Sequence, residues 1–145
     1  NSLPRETVVD SFKVTSNDFS DDDYKNNVSH LFSVNPHLNW SSVPTTTQTL
    51  AIEIVNIDTN KALWRVVDIL PGNATTSFIP KEADVDYNAM ITLPNDYDYT
   101  ATFYSQMPSG NYLLTVYAVG IRGVTTMKDA KLYSSAHANI LFKMP

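Results

Sequence analysis

Apolar and polar residues alternate over short stretches of this chain, with the two-residue period of a strand whose side chains point to opposite faces in turn. Phe12-Lys13-Val14-Thr15-Ser16 alternates in this way. In residues 49–55, Leu50, Ile52 and Ile54 share one face while Ala51, Glu53 and Val55 share the other. That pattern predicts a half-buried strand. Residues 63–70 and 112–119 are apolar on both faces and rich in valine or tyrosine, as interior strands covered on both sides tend to be. Thr100-Ala101-Thr102-Phe103-Tyr104 and Ala138-Asn139-Ile140-Leu141-Phe142 bring the set to about six strands. Turn chemistry is supplied by Asp58-Thr59-Asn60 and Ser109-Gly110-Asn111. Only residues 127–135 have a composition that supports a short helix. Pro36, Pro44, Pro71, Pro80, Pro94 and Pro108 mark connections, where no ladder needs the missing N–H. The expected fold is mainly β, with few short helices.

Composition narrows the function more than the fold. The chain has 145 residues and no cysteine, enough for a single domain that buries roughly 70% of its unfolded surface. Disulfides and cysteine-ligated metals are excluded. A net charge of -5 and a pI near 4.9 disfavour nucleic acid and anionic membranes, which need basic surface. Apolar runs such as Val116-Tyr117-Ala118-Val119 fall far short of the ~20 residues of a spanning helix. The start, Asn1-Ser2-Leu3-Pro4-Arg5, lacks the basic-then-apolar pattern of a signal peptide. The missing initiator methionine fits either a trimmed chain or a mature chain after cleavage; the location stays open, with a secreted or periplasmic protein favoured over a cytoplasmic one. The sequons at Asn27, Asn39 and Asn73 read as coincidence in so Asn-, Ser- and Thr-rich a chain.

Catalytic motifs are lacking. Asp21-Asp22-Asp23 has the oxygens for a hard cation, yet the loop lacks the glycine and distant glutamate of a calcium hand. It reads as a solvated turn. His30, His37 and His137 have no paired spacing of a zinc site. No nucleophile elbow, phosphate-cradling loop or dinucleotide fingerprint is present, and four glycines leave little room for one. The sequence implies no catalytic residue, no metal site and no cofactor.

One long pattern is more specific. Residues 34–52 read Val-Asn-Pro-His-Leu-Asn-Trp-Ser-Ser-Val-Pro-Thr-Thr-Thr-Gln-Thr-Leu-Ala-Ile. In order and spacing they resemble the Asn-x-Ser-Pro-x-Leu-x-Trp and Val-Pro-x-Gly-Thr-x-Ser motifs of the phosphatidylethanolamine-binding protein family, particularly the small bacterial branch related to Raf kinase inhibitor protein. Leu63-Trp64-Arg65-Val66-Val67-Asp68-Ile69-Leu70-Pro71 resembles the family's His-Trp-x-x-x-x-x-Pro strand. Asn95-Asp96-Tyr97 with Tyr104 and Pro108 resembles its central loop, and residues 112–119 its Arg-Tyr-x-Phe-x-x-Tyr-Ala-Leu strand. The likeness covers most of residues 12–143, with no motif intact. It implies one domain over residues 1–145, a β-sandwich of two packed antiparallel sheets, and a small anion pocket at one end of them.

In the resembled family that pocket is built from an Asp-Pro-Asp-x-Pro turn, a strand histidine and a Gly-x-His-Arg segment, whose donors cradle a phosphate-like group. This sequence departs at each point. Asn56-Ile57-Asp58-Thr59-Asn60 stands at the turn, so the first aspartate is Asn56 and both prolines are gone. With Pro71 setting the register, Trp64 takes the histidine position and Arg65 the tryptophan; slid by one residue, Leu63 takes the histidine position. Ser109-Gly110-Asn111 replaces Gly-x-His-Arg. Losing two histidines and an arginine removes charge-assisted donors worth about 1.5–3 kcal/mol each. The resemblance therefore implies a degenerate ligand pocket of Asn56, Asp58, Trp64, Arg65 and Tyr104. Trp64 either packs in the core or stacks on a ligand. Arg65 either replaces a lost pocket cation, points to solvent, or pairs with an acid such as Asp58 or Asp68. Tyr104 matches a pocket tyrosine or is an ordinary sheet residue. The helix that commonly lies near the family pocket is reduced to a turn around Lys128-Asp129-Ala130 or absent.

These readings converge on a non-enzymatic binding or interaction protein that acts through a protein partner or a small non-phosphate ligand. Tyr87, Tyr97 and Tyr99, flanked by Asp86, Asp96 and Asp98, either form an acidic-aromatic contact patch or tuck back onto the sheet. The alternatives are a metal-dependent hydrolase using Asp58, His37 or Asp21–Asp23, and a small secreted β-sandwich of adhesin or lectin type.

Overall fold

The computed structural model describes residues 12–16, 36–71, 77–79, 91–97 and 108–144. Eight strands and one helix fall within them: β1 (Lys13–Thr15), β2 (Leu38–Ser41), β3 (Thr49–Asn56), β4 (Lys61–Ile69), β5 (Ser77–Ile79), β6 (Ile91–Leu93), β7 (Gly110–Val119), α1 (Met127–Leu132) and β8 (Ser134–Met144). They form two antiparallel sheets, in the orders β1-β2-β5 and β6-β4-β3-β7-β8. The fold is mainly β, as the sequence pattern predicts. The strand expected at residues 100–104 lies outside the described residues.

The inner face of the larger sheet carries every second residue of its central strands. Leu50, Ile52 and Ile54 of β3 lie beside Leu114, Val116 and Ala118 of β7, and Ala136, Ala138, Ile140 and Phe142 of β8 continue the layer. Val14, Leu38 and Trp40 of the small sheet close over it. Removing this apolar surface from water, at roughly 25 cal/mol per Å2, is what holds the two sheets together.

The outer face has a smaller cover. Helix α1 begins at Thr126, whose hydroxyl accepts the Asp129 N–H at 3.1 Å, the usual satisfaction of an orphan helix donor. Its Met127 and Ala130 pack with Ala51, Val67 and Val119. This cover corrects the half-buried reading of residues 49–55: all but Val55 are buried, Glu53 included at 7% exposure.

Strand β4 departs from strict alternation twice. Its register with β3 shifts between Leu50 and Ile52 and again between Ile54 and Val55. At the first shift Asp68 takes a left-handed φ of 61°, which is uncommon for any residue but glycine. Its carboxylate accepts the Gly123 N–H at 2.9 Å and so holds the loop before α1.

Candidate functional site

The turn between β3 and β4 is organised by Asn56. Its side chain is buried at 2% exposure, at the end of the inner-face row. Its Oδ1 accepts the N–H groups of Asp58 at 2.9 Å and Thr59 at 3.2 Å, and its carbonyl accepts the Asn60 N–H at 2.7 Å. Short amides favour such turns because they replace ladder bonds locally. Asn60 takes the left-handed φ of 60° that closes the turn, a conformation asparagine tolerates well.

The start of β7 runs against this turn. The Ile57 N–H donates to the Asn111 carbonyl at 2.9 Å. In return the Asp58 carboxylate accepts the Asn111 N–H at 3.1 Å and its Nδ2 at 3.3 and 3.4 Å. Gly110, at φ 144°, lets the backbones approach: a Cβ there would lie 3.0 Å from Asp58 Oδ2 and 3.1 Å from Asn56 Nδ2. Asn56, Asp58 and the Ser109-Gly110-Asn111 segment thus meet at one corner of the larger sheet. Its hydrogen bonds use neutral donors and the Asp58 carboxylate.

Trp64 and Arg65 lie on opposite faces of β4, and only Trp64 shares the inner face with that corner. Trp64 lies opposite Ile54 and is 3% exposed within the main core cluster. The structure places it in core packing. Arg65, one residue on, points to the outer face, opposite Glu53 and Leu93. Its Nε donates to Glu53 Oε2 at 3.3 Å, and its two terminal nitrogens form a fork on Asp96 at 3.0 and 3.1 Å. Its acidic partners are therefore Glu53 and Asp96, and Asp58 and Asp68 are engaged elsewhere. The sequence carries a sign of the first, Glu53 being the lone acid in the apolar run of β3, and none of the second.

The outer face gathers further polar groups. Lys131 of α1 reaches Glu53 Oε1 at 2.9 Å and lies 5.9 Å from the centroid of the Tyr117 ring. Burial is the largest single influence on the Lys131 ammonium and pushes it down, but the bond to Glu53 and the negative charges of Glu53 and Tyr117 together outweigh it and hold the group above its usual range. Burial raises the Tyr117 hydroxyl. Thr115 donates to Asn139 at 2.9 Å.

Asp96 and Tyr97 do not stand out as a contact patch. The Asp96 N–H and carboxylate bond the backbone of Ala62 at 2.9 and 2.7 Å. Burial raises its carboxyl, while the Ala62 bond and the Arg65 guanidinium together hold it below its ordinary value. Tyr97 packs against the main core, with Lys61 Nζ 5.5 Å from its ring centroid. Tyr104, Tyr87, Tyr99, Asp86, Asp98, Asp21–Asp23 and His30 lie outside the described residues. Among the described residues no cluster of three or more His, Cys, Asp or Glu is placed to hold a metal ion, and no helix is long and apolar enough to cross a membrane.

No family model matches the chain, and no curated protein matches it by sequence. Its architecture does have relatives. Escherichia coli YbcL, described as a member of the mammalian PEBP family, superposes with a TM-score of 0.74 at 21% identity, over 92% of this chain and 98% of that one. The fold is that of the phosphatidylethanolamine-binding proteins. CT736 from Chlamydia trachomatis, described as a homolog of those proteins, superposes with a TM-score of 0.69 at 17% identity, over 93% of this chain and 97% of that one. Within this phosphatidylethanolamine-binding-protein-like fold, the corner of Asn56, Asp58 and Asn111 is where the sequence resemblance put the pocket motifs.

Proposed function

We propose that the chain is a non-enzymatic binding protein whose inherited anion pocket is degenerate, and that it works through a protein partner or a small non-phosphate ligand. The observation that carries this reading is the state of Asp58, whose carboxylate is occupied by two donors of Asn111. The cations of β4 are engaged elsewhere, Arg65 on Glu53 and Asp96 and Lys61 over Tyr97. An anion entering the corner would meet a carboxylate and neutral donors, an unfavourable exchange for its hydration. Fold alone carries no function, so the reading rests on these side chains.

Calorimetric titration with inorganic phosphate, phosphoserine and phosphoethanolamine tests it. No saturable binding is expected up to millimolar ligand; saturable binding abolished by Asn56→Ala overturns the degenerate pocket. A screen of ester, phosphate and glycoside substrates with and without divalent metals should show no turnover that depends on Asp58. Turnover lost in Asp58→Asn would make the protein an enzyme instead.

A further inference from the structure

We infer that an alternating chain of charges, Asp96–Arg65–Glu53–Lys131, couples the loop at residues 94–97 to helix α1, so that a change at either end is felt at the other. The chain crosses the outer face from the loop after β6, through β4 and β3, to α1. The two inner groups, Arg65 and Glu53, use separate atoms for their two neighbours. Arg65 gives Nε to Glu53 and its terminal nitrogens to Asp96; Glu53 gives Oε2 to Arg65 and Oε1 to Lys131. Arg65 Nη1 also donates to the Pro94 carbonyl at 3.1 Å, which ties the loop backbone into the chain.

Isolated exposed ion pairs contribute little to stability, but these share members, and the shared acid is nearly dry. The Glu53 side chain is 9% exposed, against 25% for Arg65, 37% for Asp96 and 47% for Lys131. Removing the Lys131 ammonium leaves Glu53 Oε1 without its cation in a poorly hydrated place. Arg65 is the group that can compensate, and its movement toward Glu53 loosens the fork on Asp96.

Both ends depend on such anchors. Helix α1 has six residues, too few to be stable by itself. The loop is held by the Asp96–Ala62 bonds and by Arg65. The strands between them are rigid ladders, so displacement is passed along the charges rather than absorbed. Because Ala62 and Lys61 follow the Asn56–Asn60 turn, the loop end of this chain lies beside the candidate corner. The inference does not depend on that corner binding anything.

Amide hydrogen exchange on the full chain tests it, in wild type, Lys131→Met and Asp96→Asn, both substitutions at solvent-accessible positions. Lys131→Met should speed exchange of the Asp96 N–H, and Asp96→Asn that of the Ala130 and Tyr133 N–H groups, by roughly 2- to 30-fold. Lys128→Met, on the same helix and outside the chain of charges, should leave Asp96 unchanged. Changes confined to the mutated end, or an equal effect of Lys128→Met, overturn the coupling. Should a variant fail to fold, wild type in ~1 M salt, where screening reaches ~3 Å, must show both ends exchanging faster together. Acceleration at one end alone also overturns it.

Discussion

The two faces of β3, β4 and β7 are built from neighbouring residues and have opposite characters. On the inner face Ile54, Trp64 and Tyr112 are sealed between the sheets. On the outer face Glu53, Arg65 and Thr115 form a polar row beside α1. Trp64 and Arg65 are adjacent in sequence, yet alternation sends one into the core and the other to the acids. An arginine on this strand is therefore not available to an inner-face corner, however close in sequence it stands. The comparison teaches that Arg65 serves the outer face, and that the hydrogen bonds of the inner corner are made by amides and one carboxylate.

Four measurements break or sharpen this contrast. The largest effect is expected from Trp64→Ala, which should cost about 3–5 kcal/mol by urea denaturation, whereas Arg65→Met, which leaves Glu53 its Lys131 partner, should cost about 1–2 kcal/mol. Equal losses would erase the distinction between the faces. Gly110→Ala comes next, at about 1–3 kcal/mol, because φ 144° and contacts at 3.0 and 3.1 Å leave no room for a Cβ. An unchanged midpoint would show that the corner is looser than its hydrogen bonds imply. Lys131→Met should lower stability by about 0.5–1 kcal/mol, and the loss should shrink in high salt.

The smallest effect is a pH dependence. The Asp96 carboxyl lies below its ordinary value of 3.8 in the folded chain. Its contribution is therefore fully present above that value and is lost as the pH falls through the folded value. Lys131 is raised above 10.5, so its contribution is present below that value and is lost as the pH rises through the folded one. Denaturation midpoints compared at about pH 6 and pH 3 should fall further in wild type than in Asp96→Asn. Parallel profiles would remove Asp96 from the ion chain.

The central strands were legible because two-residue periodicity is a local signal. Residues 49–55, 63–70 and 112–119 predict β3, β4 and β7 to within a few residues. Strands β2, β5 and β6 have four, three and three residues; Leu38-Asn39-Trp40-Ser41 does alternate, but so short a period recurs by chance and marks no strand without its neighbours. The spatial meeting of Asn56, Asp58 and Ser109-Gly110-Asn111 followed from the family resemblance and could not follow from spacing, since 50 or more residues separate the two segments along the chain. Arg65 does pair with acids, as one of its sequence readings expects, but with Glu53 and Asp96 rather than Asp58 or Asp68. Alternation from Trp64 sets its face, but its partners come from a neighbouring strand and from a loop whose position no local pattern encodes.

The strand order β6-β4-β3-β7-β8 puts the longest excursion of the chain at the middle of the sheet. β3 and β4 are joined by the four-residue turn at 57–60, and β7 and β8 by the segment carrying α1. The seam between these halves, from Thr49↔Val119 to Asn56↔Tyr112, closes a loop from residue 57 to residue 111. This seam joins the β1-β2, β2-β5 and β4-β6 pairings as a contact between strands distant in sequence, and chains rich in such pairings fold in roughly milliseconds to seconds. Until it closes, the edges of β3 and β7 offer their unpaired backbone to any other strand. The seam at the centre of the larger sheet is thus also the surface that most needs to close before another strand meets it.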